Sequence, residues 1–316
     1  MRREPQGRGM TLPRIVSLLP SATELVCSVG AQEGLVGISH ECDFPAGIES
    51  LPTLTSARID SSAPSGEIDR AVREVIRDAL SIYTVDEALL RSLEPQVIVT
   101  QDLCDVCAVS LDDVQAAVSR LADGADVRVV SLKPTYLSDI LGDVERVAEG
   151  VGLAECGRTV RAELQARIDD IEQRGARLPL RPRVVSIEWY DPVMLGGTWM
   201  PELIELAGGV PVGAEAGDPA PTIRAEELRA LEPDVVLVKP CGFGLDRSLS
   251  ERDVIERTVI EPLRGSAPVF LTDGNAFFNR PGPRIVESLE IMAACTHPDA
   301  FSDFATKHSS VIERLA

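Results

Sequence analysis

The chain has 316 residues, and its 31 Lys and Arg stand against 50 Asp and Glu, which gives a formal net charge of −19 at pH 7. This balance argues against a nucleic-acid-binding protein, because neutralising phosphates needs clustered cations. The length exceeds the roughly 250 to 300 residues at which a single hydrophobic core stops growing, so two compact units are expected.

The N-terminal region shows no targeting signal. The basic start, MRREPQGRGM, is not followed by an uninterrupted apolar run, and Cys27 follows Glu24 and Val26, where a lipoprotein signal needs apolar or small residues. No stretch of about 18 apolar residues is present either. We therefore expect a cytoplasmic chain that does not insert into a membrane and whose seven cysteines stay reduced.

The two halves of the chain repeat one pattern. Short strands, apolar on both faces, are expected at 14–18 and 183–187, and Leu-Glu-Pro leads into further strands within 92–100 and 230–238. The first half adds strands at 34–39 and 127–131, with helices near 22–30, 67–80, 85–93 and 111–122. The second half adds a strand at 269–272, with helices near 200–207, 224–231, 250–264 and 282–295. Strands buried on both faces, joined by helices, predict parallel sheets.

A long helical stretch separates the two halves. Apolar residues recur at helical spacing from Leu137 to Val151, and a second helix from about 153 to 175 would span roughly 35 Å. Its place at the midpoint of the repeat favours a spine that joins two lobes over an ordinary crossover helix. The predicted units are a disordered N-terminus at 1–12, a first lobe at 13–134, the spine at 135–180 and a second lobe at 181–316.

Four features together carry a resemblance to a known family. They are RIVSLLPSATE at 14–24, Leu-Glu-Pro before a strand in both halves, the spine from Pro134, and NRPGPR at 279–284. The sequence resembles the helical-backbone (class III) periplasmic binding proteins, and among them the cobalamin- and iron-siderophore-binding subgroup. The resemblance implies an α/β fold with two Rossmann-like lobes, parallel sheets, a long spine helix and a ligand cleft between the lobes. An export signal is not visible.

Ligands of open parallel sheets gather beyond the carboxyl ends of the strands. The polar residues at these ends that we expect to contact a ligand are Ser21, His40, Gln101 and Lys239. His40, or a cysteine, is a candidate ligand to iron or cobalt. Arg280 and Arg284 have three interpretations: support of a helix N-terminus, recognition of a ligand carboxylate or phosphate, or a salt bridge on a helix surface.

Aromatic residues are scarce, at 4% of the chain, and several are clustered. Flat, rigid rings suit contact with a large macrocycle. The residues expected to form apolar cleft walls are Trp189, Tyr190, Trp199 and Phe278. Charge interleaves with the rings in Glu188-Trp-Tyr-Asp191, which favours the cleft over the alternative of core packing against the spine.

Four of the seven cysteines follow predicted strands, namely Cys42, Cys104, Cys107 and Cys241. Thiolates bind zinc, cuprous copper and iron–sulfur clusters, so these four are a candidate metal site with His40 as a reserve ligand. Two further interpretations stay open. The thiols are small buried hydrophobes, or Cys104 and Cys107 form a redox pair.

Motifs of common enzyme classes are missing from the sequence, which has no P-loop, G-x-G-x-x-G, G-x-S-x-G or H-E-x-x-H. We therefore expect no enzyme but a protein that binds cobalamin or a related metal chelate between its lobes, with an ABC permease of an uptake system as a candidate partner. The alternative function is a cytosolic thiolate metalloprotein that binds zinc or an iron–sulfur cluster.

Overall fold

The computed structural model of the protein describes residues 11–77, 83–101 and 127–316. Most of the predicted N-terminal segment 1–12 lies outside the described residues, as do the predicted helix at 111–122 and the cysteines Cys104 and Cys107. Among the described helices, none has both the length and the apolar composition needed to cross a membrane.

The first lobe contains a four-stranded parallel sheet. The strands of this half are β1 (Ile15–Ser17), β2 (Leu35–Gly37), β3 (Thr55–Ala57), β4 (Tyr83–Val85), β5 (Val97–Gln101) and β6 (Arg128–Leu132). Its described helices are α1 (Pro20–Ser28), α2 (Ser65–Arg77) and α3 (Glu87–Ser92). The sheet order is β2-β1-β5-β6, and β3 and β4 form a separate antiparallel pair. The strands predicted from apolar runs are thus the parallel core of this lobe.

Two helices form the predicted spine, α4 (Leu137–Gly150) and α5 (Ala154–Ala176). The second has 23 residues, close to the predicted range of 153 to 175. Its buried residues include Leu164, Ile168 and Ile171, spaced as one face of a helix. They belong to a single hydrophobic cluster that also contains Leu25 of the first lobe and Leu289 of the second, so the spine packs against both lobes.

The second lobe is built on a larger, mixed sheet. Its strands are β7 (Arg183–Tyr190), β8 (Val193–Leu195), β9 (Val210–Pro211), β10 (Thr222–Ile223), β11 (Val235–Val238), β12 (Val269–Thr272) and β13 (Ile312–Arg314). The order is β10-β8-β7-β11-β12-β13, with β9 beside β7. The central strands β7, β11 and β12 are parallel as predicted, whereas β8, β10 and β13 pair antiparallel. The two-residue strands β9 and β10 carry too little pattern to be predicted.

Helices of the second lobe differ most from the prediction at 250–264. They are α6 (Met200–Leu206), α7 (Leu245–Leu249), α8 (Arg252–Ile255), α9 (Glu261–Leu263), α10 (Ile285–Thr296) and α11 (Ser302–Lys307). A π-helical segment, Glu256–Ile260, separates α8 from α9, and Pro262 explains the interruption because proline lacks the N–H that a continuous α-helix uses. The two-lobed α/β architecture is therefore confirmed, while the predicted residue boundaries of the lobes stay predictions.

Candidate functional site between the lobes

Residues beyond the carboxyl ends of central strands in the two lobes meet one another. Glu24 lies on α1, directly after β1, and Asp43 follows β2, whereas Arg280 and Arg284 follow β12 of the other lobe. We call these four residues the Arg–carboxylate bridge. Because ligands of parallel sheets gather at such strand ends, the face between the lobes is the candidate site.

The bridge is made of paired charged hydrogen bonds. Arg284 donates to both carboxylate oxygens of Glu24, through Nε at 2.9 Å and Nη2 at 2.6 Å. Arg280 donates to Glu24 at 3.3 Å and to the two oxygens of Asp43 at 2.5 and 3.0 Å. Bidentate pairs between guanidinium and carboxylate groups are strong and directional, so the bridge fixes the relative position of the lobes here.

Burial distinguishes the Glu24 end of this bridge from a surface salt bridge, whereas the side chain of Asp43 is 51% exposed. The side chain of Glu24 is 2% exposed and that of Arg280 is 7% exposed. Partial burial opposes ionisation of Asp43, but the hydrogen bond from Arg280 outweighs it and lowers the pKa of Asp43. Burial likewise opposes the charge of Arg280, and the bond to Asp43 nevertheless raises its pKa. Both groups are therefore ionised at neutral pH.

The bridge differs from the three roles that the sequence suggested for Arg280 and Arg284. Their partners are carboxylates of the opposite lobe, 256 and 260 positions away for the bonds to Glu24. Arg284 also lies over the ring of Phe44, 4.2 Å from its centroid. Glu24 itself lies on a helix whose residues 21–26 are all buried.

A second set of contacts joins the lobes through residues 58–77, which we call the strap. The carbonyl oxygen of Ala63 accepts a hydrogen bond from Arg247 at 2.8 Å, and the backbone N–H of Ser65 donates to both oxygens of Glu251 at 3.2 Å. Ile68 is 8% exposed and belongs to the hydrophobic cluster of the second lobe. The strap leaves the first lobe and lies on the second.

Two of the predicted aromatic residues lie in the cluster that the strap packs against. Trp189 and Tyr190 are stacked with 6.1 Å between ring centroids, and Phe243 is 5.1 Å from Trp189. Trp189 is 8% exposed and Tyr190 is fully buried. The hydroxyl of Tyr190 donates to Glu251 at 3.2 Å. We call Trp189, Tyr190 and Phe243 the aromatic wall; Phe243, a lone aromatic after β11, was missed in the sequence analysis.

The other two predicted aromatic residues are core residues. Trp199 is 5% exposed and Phe278 is fully buried, and both belong to the cluster that contains the spine. The indole Nε1 of Trp199 donates to the carbonyl oxygen of Phe278 at 3.1 Å. Core packing against the spine, the alternative weighed from the sequence, describes their placement, so the structure does not bring them to an open cleft wall.

The predicted polar contacts are spread over both lobes, and three of the four are buried. Lys239 is fully buried at the end of β11, where its ammonium group bonds to Glu188 at 3.2 Å and to Asn279 at 3.3 Å. Ser21 is 2% exposed, and its hydroxyl has no hydrogen-bond partner among the described residues. A Cβ on Gly282 would touch Ser21, so the bridge-bearing loop passes close to the start of α1.

His40 and Gln101 complete the predicted polar set. Gln101 is the last residue of β5 and is 4% exposed, whereas His40 is exposed. The Nδ1 atom of His40 lies 2.7 Å from the hydroxyl of Thr55, and the backbone N–H of His40 donates to the same hydroxyl at 3.0 Å. The ring of Tyr83 lies 5.4 Å from the imidazole. His40 is therefore held in position while part of its ring stays accessible.

The cysteines do not form a metal site in the part of the chain that the structure describes. Cys42 is buried, its sulfur lies 3.1 Å from the hydroxyl of Thr23, and burial raises the pKa of its thiol to about 11. A thiol of that pKa is protonated at neutral pH. Cys241 is half-buried, and Cys104 and Cys107 lie outside the described residues. No three His, Cys, Asp or Glu side chains within 11–77, 83–101 and 127–316 are placed to hold a metal ion, so the zinc or iron–sulfur alternative has no support.

Relatives share both the sequence pattern and the fold. The vitamin B12-binding protein of Photorhabdus laumondii is 22% identical over 278 residues, which cover 88% of this chain and 85% of that protein. A periplasmic heme-binding protein from Pseudomonas aeruginosa has a TM-score of 0.66 and 16% identity, with 97% of this chain and 96% of that chain covered. The periplasmic vitamin B12-binding protein of Vibrio cholerae has a TM-score of 0.63 and 17% identity, with 93% and 98% covered.

A family model settles the classification. The model for periplasmic binding proteins matches residues 15–261, which include the sheet of the first lobe, the spine and most of the second lobe. These relatives are solute-binding proteins rather than enzymes, which confirms the expectation of a non-enzymatic chain. With its two α/β lobes, its spine and its interlobe face, the chain belongs to the periplasmic binding protein family.

Proposed function

We propose that the protein binds a metal chelate of the corrinoid or heme class between its lobes and that His40 is the protein ligand to the metal. The observation that carries this proposal is an imidazole beyond the end of β2 whose Nδ1 is engaged and whose Nε2 has no hydrogen-bond partner among the described residues. The names of the relatives, which bind vitamin B12 or heme, support the class of ligand.

The hydrogen bonds around Thr55 are compatible with the tautomer of His40 whose Nε2 can bind a metal. The hydroxyl of Thr55 lies 2.9 Å from that of Ser39, 3.0 Å from the backbone N of His40 and 2.7 Å from its Nδ1. Two arrangements satisfy all three contacts, and the proposal takes the one in which Thr55 donates to Ser39 and accepts from the backbone N–H and from Nδ1–H of His40. In that arrangement Nε2 carries a lone pair, and a hydrogen bond at the other nitrogen is the usual support of a metal-bound histidine.

An absorption titration with hemin and with hydroxocobalamin tests the proposal. We expect saturable binding of at least one of them, with the band shift of histidine ligation, and a loss of that shift in His40→Ala. Thr55→Val should weaken binding by about tenfold, because it removes the support of the ring and keeps the ring itself. His297→Gln is the matched control, since this histidine bonds to Gly208 in the second lobe. Binding of neither chelate, or an unchanged shift in His40→Ala, contradicts the proposal.

The same proposal includes the partner and the location expected from the sequence. An ABC permease is the proposed partner, because the family resemblance implies an uptake system. Co-purification of the chain with a permease, enhanced by the bound chelate, would support this part. Cytoplasmic location stays a prediction, and cell fractionation followed by immunoblotting tests it.

A further inference from the structure

The strap belongs to the first lobe by its base but to the second lobe by its packing. At its base, Ala57 of β3 pairs with Tyr83 of β4, so the chain leaves and returns at one place. The described apolar residues of the strap that pack in the second lobe's cluster are Ile59, Ala63, Ile68 and Val72. Within the part of the chain that the structure describes, no strap residue belongs to a hydrophobic cluster of the first lobe.

Among the described residues, Glu251 and Arg247 of the second lobe hold the strap by polar bonds. Glu251 accepts the backbone N–H of Ser65 at the start of α2, and Arg247 donates to Ala63. A carboxylate at a helix N-terminus is favourable, because it meets free N–H groups and the positive end of the helix dipole. Arg247 and Glu251 also pair with each other at 2.6 Å. Among the described residues, the strap is therefore held by its bonds to Glu251 and Arg247 and by the burial of its apolar side chains.

The aromatic wall packs in the same hydrophobic cluster as the strap. The aromatic wall begins at the carboxyl end of β7, where ligands of parallel sheets gather, and its rings are rigid and apolar. Tyr83, at the base of the strap, donates to Glu41 at 2.8 Å and lies 5.4 Å from the ring of His40. Movement of the strap would therefore reach both the aromatic wall and the proposed metal ligand.

We propose that the strap is a gate: it turns about the β3–β4 pair, and its displacement exposes the aromatic wall as the apolar subsite for the chelate. This inference rests on the proposed function for the identity of the ligand. The opening of the strap does not depend on the proposed function. An opening equilibrium of the strap exposes Trp189 whether or not any chelate binds.

Fluorescence quenching tests the gate without a ligand. The chain has two tryptophans, so Trp199→Phe leaves Trp189 as the only reporter. In this background, Ile68→Ser should raise the open population by about tenfold, because it removes a buried contact that exists only in the closed strap. Glu251→Ala should act in the same direction, because it removes the acceptor of the Ser65 N–H together with the bonds of Glu251 to Tyr190 and Arg247. Acrylamide should then quench Trp189 more strongly. Arg70→Ala is the matched control, since this side chain on the same helix is 72% exposed.

The outcomes separate the gate from the proposed function. Stronger quenching in Ile68→Ser and Glu251→Ala, with far-ultraviolet circular dichroism unchanged and Arg70→Ala like the parent, supports the gate. Quenching that stays at the parent level in both variants overturns it. Stopped-flow mixing with hemin then tests entry: faster association in the two variants supports gating, and an unchanged rate overturns it. If neither the parent nor any variant binds hemin or hydroxocobalamin, the result counts against the proposed function. The quenching result still decides whether the strap is a gate.

Discussion

Asp143 is a buried carboxylate that the proposed binding site does not use. It lies on α4 with a fully buried side chain, and one oxygen accepts a hydrogen bond from Arg146. The other oxygen, Oδ2, has no partner among the described residues. Burial raises the pKa of Asp143 to about 7, because the charged form loses its hydration.

The raised pKa predicts how stability changes with pH. The folded protein binds the proton of Asp143 more tightly than the unfolded chain, so this residue lowers the free energy of unfolding as pH rises from about 4 to about 7. Asp143→Asn should therefore stabilise the protein by about 2 kcal/mol at pH 8 and change little at pH 4.5. Urea unfolding at pH 8 and at pH 4.5 measures the change in the free energy of unfolding, with Asp170→Asn on the exposed face of α5 as the control. An equal change in the free energy of unfolding by Asp143→Asn at pH 8 and at pH 4.5 would contradict the account.

Single residues also show how far the sequence could predict the site. His40 and Lys239 follow strands, and that position alone identified them. The partners of Arg280 and Arg284 could not be predicted, because Glu24 is more than 250 positions away and no local pattern links them. The aromatic residues were hard to assign for another reason. Aromatic rings are common both in cores and in ligand sites, so composition could not show that Trp199 is a core residue and that Trp189 packs in the same cluster as the strap.

At the scale of elements, the spine is the feature that the sequence predicted best. Helical periodicity extends over both helices, which gives a strong pattern. What the pattern does not show is how closely α4 and α5 approach. A Cβ placed on Gly157 of α5 would clash with the Cβ of Ala148 on α4, whereas a Cβ on Gly142 of α4 meets no atom within 4 Å.

These two glycines make a matched prediction for the spine. Gly157→Ala should destabilise the protein by about 2 kcal/mol, because the helices must move apart. The atom that the new methyl group would meet, the Cβ of Ala148, is not the end of a flexible side chain. Gly142→Ala should stabilise it by about 0.5 to 1 kcal/mol through helix propensity. Thermal or urea unfolding of both variants measures the difference. Similar effects of the two substitutions would mean that the spine helices are not in close contact.

At the scale of the whole molecule, the Arg–carboxylate bridge and the strap join the two lobes at separate places. The parallel sheets and the spine followed from repeated apolar runs, but the joining of the lobes did not, because it depends on side chains brought together only by the finished fold. The antiparallel edge strand β10 was also beyond prediction, since it has only two residues.

Breaking the bridge should destabilise the whole chain. Glu24→Gln leaves Arg280 and Arg284 without their buried carboxylate, and loss of one partner of a buried ion pair costs about 3 kcal/mol. Glu33→Gln, at an exposed position after α1, is the control. Urea unfolding gives the comparison, and an effect of Glu24→Gln no larger than that of Glu33→Gln would show that the bridge does not form in solution.

The central claim is that a metal chelate binds between the lobes with His40 on the metal. A crystal structure of the protein grown with hemin or hydroxocobalamin tests it most directly. The account predicts electron density for the chelate at the interlobe face, with Nε2 of His40 bonded to iron or cobalt. A chelate bound elsewhere on the chain, or bound between the lobes with a different residue on the metal, would contradict the claim.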